Sequence, residues 1–274
     1  MKKLFLLVTL FLLFTSFHKR DLTWIAIGDS ITYLNDHVNE TGNRITKGYM
    51  TRVNEQLRNI HFINKGYNGW TSGNIASQID KLGLVKADIY SIFLGTNDWW
   101  QGRPLGTLAD YQNNTGNNTV YGSFRIIINK LHELNPVSKI ILITPMQRTD
   151  FVYINDPKNN AYGSYKEKNG QWLEQFALAI DSIGHQEGFK VADLYHNKKM
   201  DIKHLVRFKH LKDPQTGQYK NYRYPDYINI PFNPGVDDYP YPENAIEITY
   251  DGLHPSDKGF AIVSKILVKM MKKY

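Results

Sequence analysis

Five short apolar runs punctuate this chain. They are residues 22–27 (L-T-W-I-A-I), 60–64 (I-H-F-I-N), 88–94 (D-I-Y-S-I-F-L), 139–144 (K-I-I-L-I-T) and 189–194 (F-K-V-A-D-L). Between and after them, apolar residues recur at three- and four-residue spacing, which is helical. The helical sets are Tyr49, Val53 and Leu57; Ile75, Ile79 and Leu82, with Ser72 as the expected N-cap; Phe124, Ile127, Leu131 and Leu134; Leu173, Phe176, Ile180 and Ile183; and Phe260, Val263, Leu267 and Met270. Strands that are apolar throughout, rather than on alternate residues, are buried on both faces. Five of them alternating with helices predict one parallel sheet between two helical layers: a doubly wound, three-layer α/β/α fold. Such folds bind ligands at the carboxyl ends of their strands, so chemistry is sought there.

Two segments break the rhythm. Residues 99–120 are rich in Gly, Asn and Thr, and residues 196–250 carry Tyr219, Tyr222, Tyr224, Tyr227, Phe232, Tyr239, Tyr241 and Tyr250. A connection as long as the second is expected to be a subdomain-sized excursion from one domain spanning 17–274. Ahead of it, Lys2 and Lys3 precede an apolar stretch at 4–14, with Thr15 and Ser16 following. This pattern predicts a signal peptide at 1–16; the stretch is shorter than the roughly 20 residues a spanning helix needs. The expectation is an exported protein without stable membrane insertion. The chain has no cysteine, which excludes disulfides, thiolate chemistry and lipidation of an N-terminal Cys. The formal charge of +7 is scattered rather than gathered into a stripe with interleaved aromatics, so no nucleic-acid partner is expected. No metal-ligand spacing stands out, and no cofactor is expected.

At the strand ends lie four polar blocks. The first strand runs into I-G-D-S-I-T, placing Ser30 just past it. N-K-G-Y-N-G-W-T follows the second strand and contains Gly69, and G-T-N-D follows the third and contains Asn97. D-G-L-H-P, near the C-terminus, holds Asp251 and His254 three residues apart. Taken singly, each block also fits a cap or a turn. Taken together they can do acyl-transfer chemistry. A carboxylate three residues away can fix one nitrogen of an imidazole, leaving the other to accept a serine proton. A backbone N–H at Gly69 and the amide of Asn97 can donate to a developing oxyanion.

The four blocks, in this order, resemble those of the SGNH (GDSL-like) hydrolase family over residues 24 to about 270, with Ile31 where that family's other name expects Leu. The resemblance implies a flavodoxin-like five-stranded fold, Ser30 as nucleophile, His254 as general base and Asp251 as its orienting carboxylate. It also implies an oxyanion hole from the Ser30 and Gly69 N–H groups and the Asn97 side chain. The implied reaction is metal-free ester hydrolysis through an acyl-enzyme. Trp99 and Trp100 follow Asn97 directly and are expected to border the site as a stacking surface for a sugar ring, with the Tyr-rich excursion adding an aromatic cleft. That favours a small-molecule or glycan ester, notably an O-acetyl group on carbohydrate. A lipase, lysophospholipase or thioesterase of the same family is the alternative. A carbohydrate-binding protein without turnover is another. Nothing in the sequence bears on oligomeric state.

Overall fold

The computed structural model describes residues 20–274, so the expected signal peptide lies outside the described residues. Nine strands form: β1 (Leu22–Gly28), β2 (Ile60–Gly66), β3 (Ile89–Phe93), β4 (Lys139–Ile143), β5 (Phe151–Val152), β6 (Asn160–Ala161), β7 (Lys190–Ala192), β8 (Lys209–Lys212) and β9 (Tyr219–Tyr222). Five of them make one parallel sheet in the order β2-β1-β3-β4-β7. β5–β6 and β8–β9 are separate antiparallel pairs. The helices are α1 (Ser30–Tyr33), α2 (Tyr49–Gln56), α3 (Ser72–Ser77), α4 (Thr96–Trp100), α5 (Leu108–Gln112), α6 (Val120–Leu134), α7 (Leu173–Glu187) and α8 (Asp257–Met271). Among the described residues no helix is long and apolar enough to cross a membrane.

The apolar strands are shared between two cores. Ile25 and Ile27 of β1, Tyr90 and Ile92 of β3, and Ile140 and Leu142 of β4 face the layer of α3, α6 and α7. Their alternates Trp24, Ala26, Ile89, Phe93, Ile141 and Ile143 face α2 and α8. Successive side chains on a strand point to opposite faces, so a strand with a helix layer on each side needs apolar residues at every position. Each Ile or Phe so buried is worth about 1.5–3 kcal/mol, which is why these runs, rather than local propensity, set the architecture. The sheet is the five-stranded α/β/α arrangement read from the sequence, and the first three sheet strands point their carboxyl ends at the site.

Details differ. Thr71, not Ser72, caps α3: its hydroxyl accepts the Asn74 N–H while Asn74 Oδ1 accepts from the Thr71 N–H. Ser72 is released to bond Asp98. Helical spacing over Ile75–Leu82 resolves into α3 and a separate 3₁₀ turn, Ile79–Lys81. The segment 99–120 contains two short helical stretches, the end of α4 and all of α5.

The excursion 196–250 contributes the β8–β9 hairpin and packs behind residues 145–172. Buried Lys209 of β8 pairs with Asp150 at 2.6 Å. The Tyr165 hydroxyl donates to the same carboxylate, and that of Tyr241 to the Asp150 carbonyl. Thr149 and Tyr227 exchange a hydroxyl hydrogen bond of 2.6 Å. Its tyrosines therefore brace a wall: Tyr250 lines the cavity described next, whereas Tyr227 and Tyr241 are buried outside it.

Candidate active site

β1 ends at Gly28, and Asp29 turns the chain into α1. The Asp29 carboxylate accepts the Ile31 N–H at 3.0 Å. Ser30 is thus the first residue of a helix, where a backbone N–H has no intrahelical partner. It lies on the floor of a cavity of about 340 Å³, within the range of small-molecule sites.

His254 reaches Ser30 from the other end of the fold, its Nε2 2.8 Å from the Ser30 Oγ. Its Nδ1 is 2.7 Å from Oδ2 of Asp251, which is fully buried. A carboxylate offers only acceptors, so Nδ1 carries the hydrogen and Nε2 is left to accept from the Ser30 hydroxyl. Asp251 is itself held by the amides of Leu253 and His254, at 3.0 and 2.7 Å on Oδ1. The turn between the two residues depends on Gly252. Its φ is +90°, and a Cβ there would lie 2.1 Å from the Asp150 carbonyl oxygen. The turn is pinned by Thr149 and Val152, whose amides donate to the carbonyls of Gly252 and Asp251. Phe151 meets the imidazole edge-on at 5.4 Å and Tyr250 stacks with it at 5.9 Å.

Gly69 and Asn97 line the same cavity. Gly69 has a φ of +73°, a conformation a side chain would strain, although nothing lies within 4 Å of where a Cβ would sit. Its carbonyl accepts from the Gln101 side chain at 2.7 Å. Asn97 stands in the first turn of α4. Its Nδ2 donates to the Trp70 carbonyl at 3.0 Å. That bond uses one of the two amide hydrogens and orients the group without carrying it into the core. The next residue, Asp98, is fully buried and accepts from the Ser72 amide at 2.9 Å and hydroxyl at 2.6 Å.

The two tryptophans separate. Trp99 is fully buried in the α6–α7 core, with its Nε1 donating to the Gln171 carbonyl. It has no open face, which removes it from the expected stacking surface. Trp100 does line the cavity, but its ring is already engaged. The Arg148 guanidinium lies 4.9 Å and the Lys168 ammonium 4.4 Å from its centroid, and Tyr162 packs edge-on. The expected aromatic cleft is likewise supplied differently, by Phe151 and Tyr153 from residues 145–172 and by Tyr250. Arg148, Asn68, Gln101 and Asn159 complete much of the polar lining, and no motif or periodicity in the sequence singled them out. Among the described residues no cluster of His, Asp or Glu is arranged to hold a metal ion.

A parallel α/β/α sheet with this grouping at its carboxyl edge defines a hydrolase of ester bonds. The chain belongs to the GDSL-like lipase/acylhydrolase family, whose model matches residues 26–262. Among solved structures it is similar to a possible lipase from Chitinophaga pinensis, 63% identical, covering 92% of this chain and 98% of that one with a TM-score of 0.91. It shares its fold with a lipase/acylhydrolase from Enterococcus faecalis (18% identical, 92% and 96% covered, TM-score 0.51). It also shares it with a catalytic mutant of an acetylxylan esterase from Geobacillus stearothermophilus (17% identical, 91% and 94% covered, TM-score 0.50). A comparison with curated proteins finds no match.

Proposed function

We propose that this hydrolase cleaves short-chain acyl esters, such as O-acetyl groups on carbohydrate, with Ser30 as nucleophile, and that it acts outside the cytoplasm after export. The observation that carries the chemistry is the unbroken relay from Asp251 through His254 to Ser30. The Ser30 hydroxyl gives its proton to His254 Nε2 as Oγ bonds to the acyl carbon. The carbonyl oxygen becomes an oxyanion between the Ser30 and Gly69 amides and the second Asn97 amide hydrogen, donors worth about 3 kcal/mol each elsewhere. The tetrahedral intermediate collapses, His254 returns the proton to the departing alcohol, and an acyl-Ser30 ester remains. Water repeats the cycle in reverse and frees the acid.

The lining supports a small polar ester: Asn68, Asn159 and Gln101 suit a hydroxylated alcohol. Export is supported by the sequence of residues 1–16 alone. The deciding experiment joins a variant to a substrate series. Ser30→Ala should lose at least about 10³-fold in kcat and lose labelling by a fluorophosphonate, with its melting temperature unchanged. Across aryl esters, kcat/KM should peak at the acetyl or propionyl ester. A peak at eight carbons or more would identify a lipase instead, because each methylene that fits an apolar pocket adds up to about 0.8 kcal/mol of binding.

A further inference from the structure

Arg148 stands on the cavity wall with its charge unpaired. The residue is 1% exposed, yet no carboxylate lies within 4 Å of its guanidinium among the described residues. The two nearest acidic groups are committed elsewhere: Asp150 to Lys209, and Asp251 to His254. Of the guanidinium nitrogens, Nη2 donates to the Tyr162 carbonyl at 2.9 Å, and buried Nε has no acceptor. Trp99 and Trp100 face the group at 5.4 and 4.9 Å. Burial pulls its pKa down to about 10, so it stays cationic at neutral pH. Buried charges are ordinarily paired and fully hydrogen-bonded. A stacked, pre-oriented guanidinium with unused donors at a substrate cavity is the arrangement that recognises a planar oxyanion. Lys168, over Trp100, and Lys166, over Tyr162, add positive potential and have no carboxylate within 4 Å among the described residues. Glu40, the acidic side chain lining the cavity, accepts from the Tyr33 hydroxyl.

We infer that Arg148 is a specificity-determining residue that binds a carboxylate of the substrate, so that the preferred ester carries an acid group beside the scissile bond. The inference rests on the assignment of this cavity as the ester-cleaving site. A carboxylate entering it meets the Nη1 donors, which have no partner among the described residues and, unlike Nε, are not sealed from the cavity, and gives Arg148 the counter-charge the fold withholds. An uncharged ester leaves those donors unsatisfied.

The test compares matched aryl acetates, one bearing a carboxylate on the ring and the other its carboxamide. The wild-type protein should favour the carboxylate by at least about tenfold in kcat/KM, mostly through KM. Arg148→Met keeps an unbranched stem against the tryptophans without the guanidinium and should bring the ratio to within about twofold of one. Arg148→Lys should restore part of it. Equal kcat/KM for both esters in the wild type, or an unchanged ratio in Arg148→Met, would overturn the inference. Should Arg148→Met not fold, wild-type inhibition decides. Benzoate should compete with a neutral aryl acetate and benzamide should not, and equal inhibition by both, or by neither, overturns the inference. Fluorophosphonate labelling of Ser30 separates the two levels. Labelling without a carboxylate preference removes only the role of Arg148, whereas absence of labelling removes the site assignment itself.

Discussion

Asp29 caps α1 with the same carboxylate that burial makes hard to ionise. Its pKa is raised from 3.8 to about 6, mainly by burial, while the bond to the Ile31 amide and the nearby His254 pull it down. Because the folded value exceeds the unfolded one, folding takes up a proton between them. The neutral form is tolerated fully below about pH 4, and the cost appears as pH rises through 6 and persists above, up to about 3 kcal/mol. Asp29→Asn keeps an oxygen for the Ile31 N–H and cannot ionise. Its melting temperature should exceed the wild type's at pH 8 by several degrees and match it near pH 4, as thermal denaturation across that range would reveal; equal shifts at both pH values would remove the burial argument. At Asn97 the effect is on rate. Asn97→Ala deletes both the proposed oxyanion donor and the bond to the Trp70 carbonyl, and should lower kcat by roughly 10²–10³ with little change in KM. Steady-state kinetics at saturating acetyl ester checks this.

Between elements, α3 and α4 are joined by one buried carboxylate. Asp98 takes two bonds from Ser72 at the start of α3 and sits 3.3 Å from the Arg103 Nε, close enough for an ion pair though not aligned as a hydrogen bond. Asp98→Ala would leave the buried Ser72 donors without their acceptor and take a partner from Arg103, which keeps its bonds to Asn117 and Ser123; the cost should be about 1–3 kcal/mol. Urea denaturation should detect it, and the residual activity should fall because the Gly69 and Asn97 loops lose their common anchor. These couplings also mark where reading the sequence stopped. The central strands β1, β3 and β4 were legible because burial on both faces leaves an uninterrupted apolar signature, the part-exposed edge strands β2 and β7 by their place in the alternation, and the long helices because a single stripe suffices to dock them. Helices of four to six residues, such as α1 and α4, carry too few turns for a period to emerge. Ser30, Asp251 and His254 were legible as motifs, since each lies within a few residues of a strand or helix boundary. Arg148 was not, because it comes from an irregular segment whose meaning depends on tryptophans about fifty positions away. Trp99 was misplaced for the opposite reason: adjacent residues on a helix point in different directions, and only one of the pair could face the cavity.

At the scale of the molecule, the excursion, the 145–172 wall and the His254 turn form a chain of supports. Lys209 holds Asp150, the Asp150 carbonyl lies against Gly252, and Gly252 sets the turn that aims His254. Lys209→Met would leave the half-buried Asp150 without its cation, and its effect should travel inward. Hydrogen exchange should rise first in residues 145–172 and 250–254, with activity lost at a lower temperature than the secondary structure of the sheet. If the sheet and activity were lost together, the support would be global rather than local. The geometry has a further consequence for how the molecule comes into being. Ser30 and His254 are 224 positions apart, so in synthesis the hydroxyl leaves the ribosome well before the imidazole. A nascent or prematurely terminated chain can complete β1, β3 and β4 and still carry Ser30, the proposed nucleophile, without His254, its proposed base, so on that reading incomplete products are inactive. Splitting the chain near residue 235 and adding back the missing C-terminal piece should therefore recover turnover only to the extent that the piece docks, giving a direct titration of the final assembly step.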